Sequence, residues 1–196
     1  PLYSSAASDV YKRQYYDRKA VEYWADEVIS NNKFNLEING IEEIICKPHP
    51  FAQLLHDGIR NAYDYKISCV HIPKNGEEGL SGIIRNRDLY DAYPHPDKPV
   101  DLTVKGKNIK DIIEYSYSHI EFEQGTLSLT IVDETLFTFW QGFNYTVDMN
   151  KEPYHRVEIE DLDSERMYRI TMTDYCYRNY KEYLEDAIIH ETYGET

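Results

Sequence analysis

The sequence predicts an α+β domain in which mixed sheets pack against a few helices, and three features carry that expectation. Short runs of period-two hydrophobicity outnumber helical ones. At least two segments of helical period lead straight into strand-like runs. No repeat, low-complexity tract or long linker divides the chain. With 196 residues, 41% of them hydrophobic, the chain can bury a real core as one domain.

The elements follow in order. "YYDRKAVEYWADEVIS" places Ala20, Tyr23, Trp24 and Val28 at helical spacing and predicts a leading helix. "FAQLLHDGIRNAYD" puts Phe51, Leu54, Leu55, Ile59 and Ala62 on one helical face, and "KISCVHI" after it reads as a buried strand. "PVDLTVKG" alternates Val100, Leu102 and Val104. After a turn at Gly106, "KNIKDIIEYSYSHI" aligns Ile109, Ile112, Ile113 and Ser116 on a helix. "TLSLTIVD" alternates Leu127, Leu129 and Ile131, while "LFTFWQGFNYTVDM", "RVEIEDL" and "MYRITMTDY" supply three further strand candidates.

Charge and composition exclude several classes of function. The formal net charge of -14 argues against a nucleic-acid polymer as partner, because phosphate-backbone affinity needs clustered Lys and Arg. A small anionic ligand needs only two or three local cations and stays open. No run approaches the roughly 18 apolar residues of a membrane span, and no apolar signal-peptide core opens the chain. Cys46, Cys69 and Cys176 are far apart and odd in number, so they form neither a zinc ribbon nor a disulfide framework and read as reduced, mostly buried thiols. The seven histidines show no metal-ligand spacing, so no metal site is expected here.

Residues 1–14, "PLYSSAASDVYKRQ", lack an initiator Met and resemble a translated sequencing-adapter read-through of the kind found at the ends of metagenome-derived proteins. They are set apart from the fold. Residues 15–45 then read as a leading helix and linker, and residues 46–196 as the main domain.

The stretch "TDYCYRNYKEY", residues 173–183, holds four tyrosines in a polar, charged setting. Such rings are either half-buried packing residues with wet hydroxyls or a platform on which something flat stacks.

Two blocks in a fixed order resolve the wider pattern. "GIIRNRDLYDAYPHPDKPVDLTVKGKNIKDIIEYSYSH" resembles the 5'-nucleotidase C-terminal domain at Gly82, Ile84, Asp88, Leu89, Tyr90, Pro94, Gly106 and Glu114. "GFNYTVDMNKEPYHRVEIEDLDSERMYRITMTDY" is similar to the same family's ending at Gly142, Tyr145, Asp148, Pro153, Arg156, Val157, Tyr168 and Asp174. The resemblance covers about residues 50 to 190 and implies a 5'-nucleotidase C-terminal domain-like fold. It also implies a division of labour: an N-terminal metallophosphoesterase domain would hold two divalent metal ions and hydrolyse the ester, while a C-terminal domain grips a nucleoside or nucleotide. None of the metal-domain motifs occurs in this chain, so it should carry no catalytic residue and be inactive alone. Relatives are commonly periplasmic, extracellular or wall-attached, and the resemblance extends that expectation to the parent enzyme.

The same resemblance implies that two aromatic rings sandwich the base, a contact worth about 1 to 3 kcal/mol per stacked base. It puts these rings at Phe137 and Tyr183. The bare sequence offers another reading, in which Phe137, Phe139 and Trp140 simply alternate along an ordinary strand. Departures from the family pattern stand beside the matches. "RNYKE", Arg178 to Glu182, replaces a glycine-rich loop that lets the chain approach the base. An expected Arg is missing from "CVHIPKNGEEGLSG", leaving Lys74 or Arg85 as substitutes, and a Lys is a point charge without Arg's bidentate fork. Asp97 stands where many relatives carry Asn, and a carboxylate suits a ribose hydroxyl better than a phosphate. Two classes of function follow: the substrate-recognition domain of a 5'-nucleotidase or cyclic-nucleotide phosphodiesterase, or a non-catalytic nucleoside-binding or structural domain.

Overall fold

The computed structural model describes residues 18–31, 36–38, 41–63, 66–72, 79–95, 97–124, 126–130 and 136–192. Residues 1–14, Lys74 and Ile131 lie outside them. The architecture is α+β, as the sequence predicts.

At its centre is a five-stranded mixed sheet of order β13-β6-β12-β3-β9. Its strands are β3 (Ile67–Val70), β6 (Pro99–Lys105), β9 (Phe139–Gln141), β12 (Met167–Thr173) and β13 (Ile188–Thr192). β3 and β12 run parallel, with Ile170 opposite Ile67 and Met172 opposite Cys69. β6 runs antiparallel to β12 over its whole length, from Met167 opposite Lys105 to Thr173 opposite Pro99. The alternation read in "PVDLTVKG" is realised as Val100, Leu102 and Val104 in the core beside Ile170 and Met172.

Two helices complete the core. α3 (Pro50–Tyr63) packs on β3 and β12, and α5 (Gly106–Ser118) packs on β6. The predicted face of α5 is buried as a set: Ile109, Ile112, Ile113 and Ser116 have no exposed surface. The face of α3 departs from the expected one at Leu54, while Leu55 and Ile59 pack on the core. Phe51 is buried with Ala52 and His56, while Leu54 is 43% exposed. Polar pairing accommodates the buried His56, whose Nδ1 shares a buried hydrogen bond with Ser68 Oγ of β3 at 2.8 Å.

Smaller elements frame this sheet. The leading helix, α1, covers residues 18–26 and stops before Val28, which enters β1 (Val28–Asn31). Asn86 at the start of α4 (Asn86–Ala92) fixes that stop by bonding the carbonyls of Trp24 and Glu27. β1 pairs with β5 (Ile83–Arg85), and β2 (Leu36–Glu37) with β4 (Gly79–Leu80). α2 (Ile41–Cys46) precedes α3. β7 (Ile120–Glu123) and β8 (Thr126–Leu129) form a hairpin.

The expected strand "LFTFWQGFNYTVDM" is two strands, β9 and β10 (Tyr145–Val147), the second paired with β11 (Val157–Ile159). Gly142 makes the break: its φ of 111° lies where a side chain is strained, and a Cβ there would run into the Lys66 carbonyl. The tyrosine-rich stretch is helical. After β12, Thr173 caps α6 (Asp174–Asn179) by accepting from the Cys176 N–H, and a 3-10 turn, Lys181–Leu184, follows. β13 then adds an edge strand that the sequence did not announce, because Ile188 and Ile189 stay about half exposed and no alternation marks them. No helix among the described residues is long and apolar enough to cross a membrane.

Candidate functional site

Topology brings three chain segments to one end of the central sheet. Parallel β3 and β12 finish there, and antiparallel β6 starts there. That rim carries His71, Asp97, Asp174, Tyr175 and Arg178, one residue beyond β3, two residues before β6, and along α6. The ends of parallel strands are where α/β sheets commonly leave a crevice for ligands.

Asp97 is the hub. Its side chain is only 6% exposed. Tyr93 Oη donates to Asp97 Oδ2 at 2.8 Å. The buried His71 imidazole places Nε2 3.7 Å from the same oxygen, beyond hydrogen-bond length but close enough for its charge to matter. Arg178 reaches over from α6, 3.9 Å from Asp97 Oδ1, and binds Asp174 Oδ2 at 2.6 Å. Asp174 in turn accepts from the Lys98 N–H at 3.0 Å and donates its own N–H to the Lys98 carbonyl at 2.8 Å, which clamps the Asp97 loop onto α6. Rings wall the same place: His71 stacks on Tyr175 with centroids 4.2 Å apart and meets Tyr93 at 5.7 Å.

Burial pushes the Asp97 carboxyl up from its ordinary 3.8, against the Tyr93 hydrogen bond and the His71 charge, which hold it down. Burial and the neighbouring Asp97 charge raise the Tyr93 phenol. Beneath them Cys176 Sγ lies 3.9 Å from His71 Nδ1. Burial pushes its thiol up, but hydrogen bonds with Cys69 and His71 more than offset that and hold it down. Cys69 and Cys176 are buried free thiols, and Cys46 is exposed.

The four residues expected at a ligand site are not gathered in one place. Asp97 holds the rim. Arg85 ends β5 in the separate β1–β5 ribbon, its backbone N–H donating to Asp88 Oδ2 at 2.7 Å. Phe137 is a core residue, 1% exposed, wedged against Tyr117 and Phe139 at 5.2 and 5.1 Å, so it presents no face to a ligand. Tyr183 is half-buried in the 3-10 turn, packed edge-on against Tyr115 of α5 at 6.1 Å. Its carbonyl accepts from Asn108, just past the far end of β6. Asp97 precedes the near end of that strand, about 20 Å away along the backbone. Asp97 and Tyr183 therefore lie towards opposite ends of β6. Tyr175 and Tyr177 are half-buried, and Tyr180 is buried, its hydroxyl donating to the Leu136 carbonyl.

Several residues that carried the family resemblance form a structural clasp. Buried Glu114 of α5 accepts from the N–H groups of Arg156 and Val157 at 3.0 and 2.8 Å. Arg156 donates to the carbonyls of Tyr117 and Ile120, capping the end of the helix. Tyr168 Oη accepts from the Asp163 N–H, and Gly106 lies so close to the Asp163 carbonyl that no Cβ fits. His71 went unrecognised because Tyr93, Asp97 and Tyr175 lie 22, 26 and 104 positions from it, and Arg178 because Asp97 lies 81 positions away, so the four-residue spacings of Tyr93 to Asp97 and Asp174 to Arg178 do not reveal the network.

The comparisons agree with this architecture. The model of the 5'-nucleotidase C-terminal domain matches residues 34–185. No curated protein matches the chain. Among solved structures, it is similar to a Staphylococcus aureus protein described as a 5'-nucleotidase in complex with alpha-ketoglutarate, with TM-score 0.78, 22% identity, and coverage of 89% of this chain and 37% of that one. A 5'-nucleotidase precursor from Thermus thermophilus gives TM-score 0.66 at 18% identity, covering 88% and 34% of the two chains. The NAD nucleotidase of Haemophilus influenzae gives 0.56 at 14%, covering 94% and 36%. The chain thus spans little more than a third of each. At these identities the likeness is one of fold, and the family match is what assigns the domain. Extending over most of the described residues, that match places the chain in the 5'-nucleotidase C-terminal domain family.

Proposed function

We propose that this chain is the nucleoside-gripping part of a metal-dependent nucleotide phosphohydrolase of 5'-nucleotidase or cyclic-nucleotide phosphodiesterase type. In this reading an N-terminal metallophosphoesterase domain, outside the present sequence, carries the two metal ions and the hydrolysis. The chain alone binds and does not turn over.

Asp97 is the observation that carries the reading. A carboxylate has about four lone-pair sites, and Tyr93 occupies one of them. The rest suit the vicinal hydroxyls of a ribose. Arg178, with its side chain 61% exposed beside that carboxylate, supplies a cation for the anionic end of a nucleotide. Tyr93, Tyr175 and His71 give the rim aromatic walls, so a base meets rings there rather than at Phe137. The family membership supports a nucleotide as the ligand class.

Titration of the folded chain with adenosine and with AMP tests this. Saturable binding at millimolar concentration or below, weakened by Asp97→Ala, is expected. Absence of binding by both ligands would leave a domain with a structural role only.

A further inference from the structure

Away from the rim, the structure holds a cavity of about 740 Å³ along the β9 edge of the sheet, between the α2–α3 junction, the β7–β8 hairpin and the β9–β10 turn. β9 itself leads away from the rim, from Phe139 opposite Val70 to Gln141 opposite Ser68. The volume falls in the range that small-molecule sites occupy. Its inner wall is buried: Ile44, Tyr117, Phe139 and Trp140 line it and are each under 9% exposed. At the mouth stand Phe122, 58% exposed, and the half-buried Leu127, Phe143, Tyr145, Val147 and Met149.

Charge complementarity narrows the occupant. The chain carries 35 Asp and Glu residues, yet among the described residues no carboxylate lines this cavity, and the one formal charge among them, Lys47, is exposed and paired with Glu43. A cation finds no partner and an anion no buried one.

A polar handle sits inside. His56 lines the cavity and is 4% exposed. Ser68 holds its Nδ1, and among the described residues nothing pairs with Nε2. Burial, with Arg60 close by, lowers its pKa from 6.5 to about 4, so the ring is neutral at pH 7. Gln141, also lining the cavity, is anchored by Arg60 at 2.9 Å and adds a fixed amide near the same wall.

We propose that this cavity is a second binding site, distinct from the rim, for an uncharged flat aromatic molecule whose single polar group pairs with His56 Nε2. Aromatic walls contribute stacking and edge contacts, and the buried imidazole sets the orientation.

The probe pair 1-naphthol and naphthalene-1-sulfonate tests it, since the two share a ring system and differ in charge. In the full chain carrying Trp24→Phe, Trp140 is the only tryptophan, and its indole N–H resonance reports on the cavity. Saturable shifts with 1-naphthol are expected, with at least tenfold weaker binding of the sulfonate and at least tenfold weaker naphthol binding in His56→Ala. Leu127→Trp, which puts an indole into the space from the hairpin, should abolish naphthol binding in a folded protein and decides the matter if His56→Ala does not fold. No shift up to the solubility limit, equal response to both probes, unchanged binding in the folded Leu127→Trp variant, or shifts that follow self-association instead of ligand would each overturn the proposal.

Discussion

The Tyr93 hydroxyl donates to the Asp97 carboxylate at 2.8 Å, inside a wall of rings at the end of the central sheet. A hydrogen bond to a charged, poorly solvated acceptor contributes about 1.5 to 3 kcal/mol. Tyr93→Phe should therefore lower the stability of the chain by that amount in urea unfolding, with the m-value unchanged. A loss below about 0.5 kcal/mol would mean that water replaces the phenol freely and the rim is open.

The same carboxylate has a pH signature. Burial raises the Asp97 pKa in the folded chain, so its contribution is complete below 3.8 and is lost as pH rises through the folded value. Asp97→Asn should flatten the stability curve across that window. Persistence of the slope in the variant would assign it to another acid.

His56 acts with the opposite sense of pH. Its pKa falls from 6.5 to about 4 in the folded chain, so between these values the unfolded chain takes up a proton that the folded one refuses. Stability is full above pH 6.5 and declines on acidification, by about 3 kcal/mol once pH is below 4. His56→Gln should remove this slope, which chemical unfolding between pH 4 and 7 measures directly.

The Glu114 clasp is expected to be among the costliest places to mutate. Glu114→Ala strips the acceptor from two N–H groups, of Arg156 and Val157, and should cost about 3 kcal/mol. Gly142→Ala meets both a positive φ of 111° and the Lys66 carbonyl, for a loss of about 2 kcal/mol or more. Thermal unfolding of both variants checks this, and a near-native midpoint for either would mean that the surrounding backbone relaxes.

These costs explain what was legible in the sequence. Glu114, Arg156, Val157, Gly106 and Gly142 form the frame that makes the family recognisable, and local pattern reveals them because backbone geometry at those points tolerates few alternatives. α5 and β6 were legible for a simpler reason: their apolar periodicity falls on buried positions, with Asp101 of β6 buried out of step beside Arg169. The ligand end was not. Phe137 reads equally well as platform or core until Tyr117 is seen against it. The rim depends on residues joined only by the fold, as when His71, Asp97 and Arg178 meet from β3, the β6 approach and α6. β13 was missed because an exposed edge strand carries no hydrophobic alternation.

Tyr183 separates two geometries of base recognition. Packed on Tyr115 beyond the far end of β6, it should be dispensable to a ligand held at the rim, and Tyr183→Ala should leave adenosine affinity within twofold. A loss of about 1 to 3 kcal/mol in binding, the value of one stacked base, would restore Tyr183 as a platform.

Calorimetric titration of the folded chain with adenosine, in parallel with Asp97→Ala, bears most directly on the nucleoside-gripping role. Saturable binding that weakens at least tenfold, about 1.4 kcal/mol, in the variant is the predicted result. Equal affinity in the two proteins, or no heat from either at millimolar ligand, would contradict it.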